Sequence, residues 1–153
     1  MIVITRAITL TQPWATLVAI GAKRIETRSW ATSYRGWLGI HASKAFPGSC
    51  RTICYYSEPY RRLLLEAGYR TWRDLPVGAL VGAVNLVDIR TAPQPGLVAP
   101  FSDEWNFGDF ADGRKLWLLE DAHRLAEPAP MKGMLSVWTL PRSFELDQFR
   151  KAA

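Results

Sequence analysis

Gly78-Ala79-Leu80-Val81-Gly82-Ala83-Val84-Asn85-Leu86-Val87-Asp88-Ile89-Arg90 is the most apolar stretch of the chain. Both of its parities are apolar through Val84, which predicts a strand buried on both faces. Working back towards the N-terminus, residues 50–67 read as helix, with a break at Pro59 and a stop at Gly68. Residues 36–43 and 24–30 read as strands. In the second of these, alternation sets Arg24, Glu26, Arg28 and Trp30 on one face. Trp14, Leu17, Val18 and Gly21 follow helical spacing, so residues 13–20 form a short buried helix with Thr11 or Gln12 as its cap and Gly21 beyond its end. Residues 2–10 read as a strand with Ile2, Ile4, Ile8 and Leu10 on one parity. On the C-terminal side, residues 91–113 make a long Pro/Gly/Asp-rich loop. Strands at 115–121 and 134–140 follow, then a short helix near 143–150. Several short strands with few helices between them predict an α+β fold, a small mixed or antiparallel β-barrel decorated by short helices.

The chain has 153 residues, the size of one domain, and residues 1–153 are read as a single unit. Hydrophobic residues make up 48% and charged residues 22%, a globular balance. No apolar run approaches the roughly 18 residues that span a bilayer, and the N-terminus lacks the pattern of a signal peptide. Two cysteines, Cys50 and Cys54, are too few for a disulfide scaffold or a four-cysteine zinc site. A reducing, cytoplasmic home is the expectation, with no membrane association.

Charge is distributed unevenly. Residues 1–75 carry 11 Lys/Arg against 4 Asp/Glu, whereas residues 76–153 carry 8 against 10. A basic half points to a polyanion, nucleic acid being the commonest, or to a basic but inert surface.

The densest polar constellation is Lys23-Arg24-Ile25-Glu26-Thr27-Arg28-Ser29-Trp30, followed by Tyr34-Arg35-Gly36. An anionic, planar ligand needs this chemistry. Guanidinium forks and ammonium groups take phosphates, Trp and Tyr offer stacking faces, and Glu accepts from a base amino group. The same pattern also suits a solvated edge strand in which Glu26 pairs with its neighbours. Lys23 stands at a helix-to-strand corner. A lysine near other cations, if partly buried, can serve as a base or electrophile, although most loop lysines are simply exposed. His41, on the face of Trp37 and Gly39, is either a general base or a histidine holding one hydrogen bond at the sheet edge. His123 is the other histidine, and without a Cys/His cluster no metal is expected, nor any other cofactor. Cys50 and Cys54 share a helix face as two small hydrophobes. The aromatics of the loop around Glu104-Trp105-Asn106-Phe107 form a lid over a cleft or cap one end of the fold. No phosphate-cradling Gly-Lys-Ser/Thr loop and no serine-hydrolase elbow is present.

Leu10-Thr11-Gln12-Pro13-Trp14-Ala15, Gly21-Ala22-Lys23-Arg24-Ile25-Glu26-Thr27-Arg28, Tyr34-Arg35-Gly36 and Ile40-His41-Ala42-Ser43-Lys44 together resemble the ASCH (activating signal cointegrator homology) domain. Its signature is G-x-K-x-x-E-x-R after a Q-P-W/Y segment. Pro76-Val77-Gly78-Ala79-Leu80-Val81-Gly82, Trp117, and Lys132-Gly133 before Val137-Trp138 extend the resemblance over roughly residues 5–140. It implies a PUA-like β-barrel with a cleft beside the Lys/Glu/Arg strand, and binding of RNA or other nucleic acid. Some bacterial relatives are enzymes, one type deacetylating N4-acetylcytidine and another cutting single-stranded RNA.

The deacetylating type uses a Lys, a Thr three residues later and a separate Glu. Lys23 matches the lysine, but Glu26 stands at the threonine position. Thr27 is one residue away and, in a strand, on the other face. Glu104 is a candidate for the separate glutamate. The pattern is closer to the eukaryotic-coactivator branch, which keeps the Glu and is regarded as a nucleic-acid binder.

Two expectations follow. In the first, a basic cleft holds a single-stranded or flipped nucleotide of RNA, with DNA or a modified nucleoside also open. Arg28, Arg35 and Lys44 meet phosphates, Glu26 and Lys23 read a base edge, Trp30 or Tyr34 stacks, and His41 adds a contact. In the second, the domain is a metal-independent hydrolase of single-stranded RNA or of a modified nucleoside, with Glu26 as base and Lys23 stabilising developing charge. A protein-binding role for Tyr55, Tyr56 and Tyr60 on the helical stretch is a third, resting on aromatic content alone.

Overall fold

The computed structural model describes residues 1–152. Strand β1 (Val3–Leu10) leads into helix α1 (Trp14–Ala19), then β2 (Ile25–Arg28) and β3 (Gly36–Ala42). Helices α2 (Gly48–Tyr56) and α3 (Tyr60–Glu66) precede β4 (Ala79–Thr91). Helix α4 (Asp103–Phe107), β5 (Lys115–Pro130), β6 (Trp138–Glu145) and the short β7 (Arg150–Lys151) complete the chain. The strands form one mixed sheet in the order β2-β5-β4-β3-β1-β6, with β7 on β5. Only β1 and β3 run parallel, because α1 and β2 supply the crossover between them.

β4 is buried on both sides, as its composition requires. Val81, Val84 and Leu86 join Ile8, Leu38, Ile40 and Trp117 in one cluster. Leu80 and Ala83 join Ile4, Ala7, Trp138 and Phe144 in another. Helix α1 packs onto the sheet at Gly82, where a Cβ would stand 2.7 Å from that of Ala19 and 2.5 Å from the His123 carbonyl oxygen. Gln12 holds the start of α1. Its Oε1 accepts from the Thr16 N–H (3.0 Å), and its Nε2 donates to Thr16 Oγ1 and to the Pro76 carbonyl (both 2.8 Å). Cys54, fully buried, and Cys50 sit with Leu17, Tyr60 and Leu64 under α2 and α3.

The sheet differs from the expected barrel: it is not closed. β2, only four residues long, is one edge and β6 is the other. β6 pairs with β1 only as far as Ala7. Beyond that point no strand occupies the β6 side of β1, and the Arg28 side chain of β2 bridges to it instead, donating from Nη2 to the Thr9 carbonyl (2.9 Å).

Two elements also depart from the sequence reading. β5 continues past 121 to Pro130, because Asp121 takes a positive φ of 53° and the extra residues bulge out of the ladder with β4. Residues 143–150 are not helical. β6 runs through Glu145, a single 3-10 turn covers Leu146–Gln148, and β7 pairs Arg150 with Arg124. Phe144 and Phe149, five apart, both enter the second core cluster, an arrangement a helix would not give.

Candidate functional site

Gly21, at φ 79°, ends α1 and turns the chain so that Lys23 N–H donates to the Leu17 carbonyl (2.9 Å). This corner sends the Lys23 side chain inward, where it is 1% exposed. Its ammonium donates to the Ile25 carbonyl and lies 3.5 Å from Glu26 Oε1. The other carboxylate oxygen, Oε2, accepts from Arg28 Nε at 3.2 Å. Glu26 is therefore clamped between a buried and a half-exposed cation on the edge strand. Arg28 completes a chain of contacts from Lys23 through Glu26 to Thr9, with its guanidinium also 5.7 Å from the Trp30 ring.

Arg28 stands where two cavities meet. One, of about 810 Å³, is lined by Thr9, Thr11, His41, Ser43, Lys44, Gly78 and residues 131–136. The other, of about 610 Å³, is bounded by Glu26 to Trp30, Trp14, Tyr60, Phe107, Asp109 and Arg114. Thr9, Thr11 and Arg28 line both, so the two adjoin along the open seam of the sheet as the halves of a trough, with the Arg28 to Thr9 bridge between them. Each half falls in the size range of ordinary small-molecule sites.

The first half has a hydrogen-bonded wall. His41 Nε2 donates to the Met131 carbonyl (2.8 Å), and its Nδ1 accepts from Thr9 Oγ1 (3.2 Å), which in turn accepts from Trp138 Nε1 (3.1 Å). Burial pushes the imidazole pKa down, partly offset by the Met131 carbonyl, and this favours the neutral ring. Gly133 lies so close that a Cβ there would stand 2.7 Å from the imidazole. His41 is thus a strut that seats residues 131–136 on the trough.

The second half is built on Thr27 and α4. Asp109 N–H donates to Thr27 Oγ1 (3.0 Å), and Arg114 Nη2 donates to the Thr27 carbonyl (3.1 Å). Arg114 Nε, 3.6 Å from Asp109 Oδ2, is the one buried side-chain nitrogen among the described residues without a hydrogen-bond partner. Glu104 accepts from the N–H groups of Arg24 (2.7 Å) and Ile25 (3.4 Å), which stitches α4 to the Lys23 corner. Burial raises its carboxyl pKa, against the lowering effect of those N–H groups and of Lys23 nearby.

The ASCH domain family model matches residues 8–123. The chain belongs to the ASCH domain family. It is 31% identical over 130 residues to activating signal cointegrator 1 of Homo sapiens and to that of Mus musculus, a match covering 84% of this chain but 21% of each relative. The chain therefore spans about a fifth of the length of those relatives. The fold is similar to the crystal structure of a point mutant of ZmASCH from Zymomonas mobilis, with TM-score 0.54, 16% identity and 90% of each chain covered. The ASCH family is generally linked to RNA binding.

In this ASCH domain the signature residues divide. Arg28, Glu26 and Trp30 line the trough, as do His41 and Lys44. Lys23 lines neither half, and its ammonium is enclosed by Ile25 and Glu26. Tyr34 points its hydroxyl at the Trp37 carbonyl (2.6 Å) and packs against the core. Arg35 donates to the Thr32 and Tyr34 carbonyls and lies 3.9 Å from Asp88, away from the trough. Trp30 packs edge-on against Trp117 (4.9 Å) and so contributes to the wall as well as to the core. Sequence reasoning missed Thr9, Arg114 and residues 131–136 as site residues. Thr9 carries no charge to mark it, while Lys132-Gly133 was visible as a family segment without a role.

Proposed function

We propose that this ASCH domain binds single-stranded RNA in the trough along the open seam of its sheet. The observation that carries the reading is the adjacency of the two cavities on either side of Arg28, with cations lining each. Lys44 and Lys132 line one half without an acidic partner among the described residues, and Arg114 lines the other. The two carboxylates of the trough, Glu26 and Asp109, are already paired with Arg28 and Arg114. Phosphates then meet Lys44, Lys132 and Arg28, a base enters the smaller half beside Trp30, and Glu26 accepts from its amino edge. Lys23 acts from beneath by fixing Glu26 rather than by touching the ligand.

The test is anisotropy of a labelled single-stranded RNA at roughly 50 and 200 mM salt, beside the same sequence as DNA. Binding that weakens steeply with salt, and that Lys44→Ala with Lys132→Ala reduces, supports the reading. A flat salt profile, or equal binding by the variant, overturns it.

The hydrolase alternative draws on one observation, the Glu26 carboxylate at the trough wall. In that version Glu26 is the base and Lys23 its positioning partner. Turnover of RNA by the purified protein that Glu26→Gln abolishes would favour it over binding alone.

A further inference from the structure

A basic, aromatic platform outside the trough is left unused by that reading. From Thr27 to Ser57 the chain carries no acidic residue, yet it carries Arg28, Arg35, Lys44 and Arg51. Arg51, exposed on α2, places its guanidinium carbon 4.3 Å from the centre of the Trp72 ring. Arg73, also exposed, places its own at 4.5 Å from the same ring. Neither arginine has an ion-pair or side-chain hydrogen-bond partner among the described residues. The nearest acid in sequence, Asp74, keeps its charge but turns one carboxylate oxygen to the backbone. Its Oδ2 accepts from the N–H groups of Arg70 (2.8 Å) and Thr71 (3.0 Å), holding the 3-10 turn Trp72–Asp74 that presents the ring.

Gathering two like charges on one indole costs repulsion, which the ring's quadrupole only partly offsets. Stacking also occupies the flat face of a guanidinium and leaves the N–H donors along its edge unsatisfied. Those in-plane donors form the fork that grips a phosphate. Because the ring restrains each side chain, less rotamer freedom is lost when an anion arrives.

Position decides which anion. Two chain segments run from the trough to this ring. From Lys44, which lines the trough, the chain passes to Phe46, edge-on to Trp72 at 5.9 Å, and on to α2 with Arg51. From Arg73 it passes through Pro76, held by Gln12, to Gly78 in the trough wall. Two short segments of chain, Lys44 to Arg51 and Arg73 to Gly78, therefore tie the platform to the trough wall.

We infer that Arg51, Arg73 and Trp72 form a second phosphate-gripping site for the same single-stranded RNA, engaging the strand where it leaves the trough beyond Lys44. This rests on the RNA-binding reading above and adds to it a length requirement. RNA confined to the trough does not reach the platform, whereas a longer strand does.

The experiment compares RNA of about 4 nucleotides with RNA of about 12, a short and a longer length within the usual range of single-strand site sizes. Wild type is set beside Arg51→Gln/Arg73→Gln, which keeps the packing stems, with circular dichroism confirming the fold. The expected result is tighter binding of the longer RNA by wild type. The double variant loses affinity for the longer RNA on the order of tenfold, its salt slope falls by about 1.4, and its binding of the shorter RNA is unchanged. Equal binding of the longer RNA by variant and wild type overturns the platform while leaving the trough standing. So does an equal loss at both lengths. Absence of RNA binding by wild type at either length overturns both readings.

Discussion

Arg28 Nη2 donates to the Thr9 carbonyl at 2.9 Å, joining the edge strand β2 to a stretch of β1 that has no strand partner on that side. The same guanidinium reaches Glu26 through Nε at 3.2 Å. A planar fork makes both contacts at once, and an ammonium does not. Arg28→Lys is therefore expected to weaken RNA binding on the order of tenfold while leaving the salt slope nearly unchanged, since the charge stays. A conventional anisotropy titration checks it, and an Arg28→Lys protein that kept full affinity would mean that Arg28 acts as a point charge only.

The ion pair beneath it supports the second prediction. Lys23 is enclosed, and Glu26 is 9% exposed. Removing one member of a buried pair leaves the other uncompensated, although Arg28 still serves Glu26 here. Lys23→Met is expected to lower stability by about 1–3 kcal/mol and to weaken RNA binding without itself touching RNA. In urea denaturation, Lys23→Met/Glu26→Gln should lose less than the sum of the single losses. Strict additivity would show that the two side chains are not coupled.

His41 sets a pH dependence. Burial disfavours its charged form, so its pKa in the folded state lies below the ordinary value. In the unfolded chain it titrates near 6.5. As pH falls through that value the unfolded chain takes up a proton the folded one resists, and stability drops. Above it, the contribution is fully present. Urea midpoints between pH 7.5 and 5 should therefore fall more for wild type than for His41→Gln, and parallel curves would contradict the assignment.

Gly133 has no room for a side chain: a Cβ would stand 2.7 Å from the His41 ring and 2.8 Å from Thr9 Oγ1. Gly133→Ala is expected to cost about 1–3 kcal/mol and to weaken RNA binding by lifting residues 131–136 off the trough. Thermal melts and anisotropy measure the two effects. An alanine tolerated in both would show that the segment is not seated through His41.

Much of this arrangement was legible before any coordinates. The two-faced burial of β4 follows from the absence of polar residues on either parity up to Val84, and the α1 corner from Gly21. The basic, aromatic character of the Glu26 to Trp30 strand was equally visible. The direction of Lys23 was not, since a lysine after a helix-ending glycine looks solvent-bound until the corner turns it inward. The edge-strand reading of β2 holds for its position and for the local pairing of Glu26, yet that pairing is buried rather than solvated. The run of β5 to Pro130 was hidden by its irregular pairing, since Asp121 and Pro128 fall where the ladder with β4 shifts register, whereas Pro130 pairs with Ala79. Thr9 and residues 131–136 entered the site through long-range packing, which no local pattern encodes.

The seam between β2 and β1 has a consequence for how such a site changes over time. A ladder of main-chain bonds would fix the spacing of these two strands whatever the side chains were. Here a side-chain hydrogen bond from Arg28 spans the gap instead, while β2 itself is held by β5. Substitution at position 28 can widen, narrow or re-aim the slot and leave the six-strand order of the main sheet path intact. The shape of the slot then follows a side chain more than the ladder that holds the sheet together.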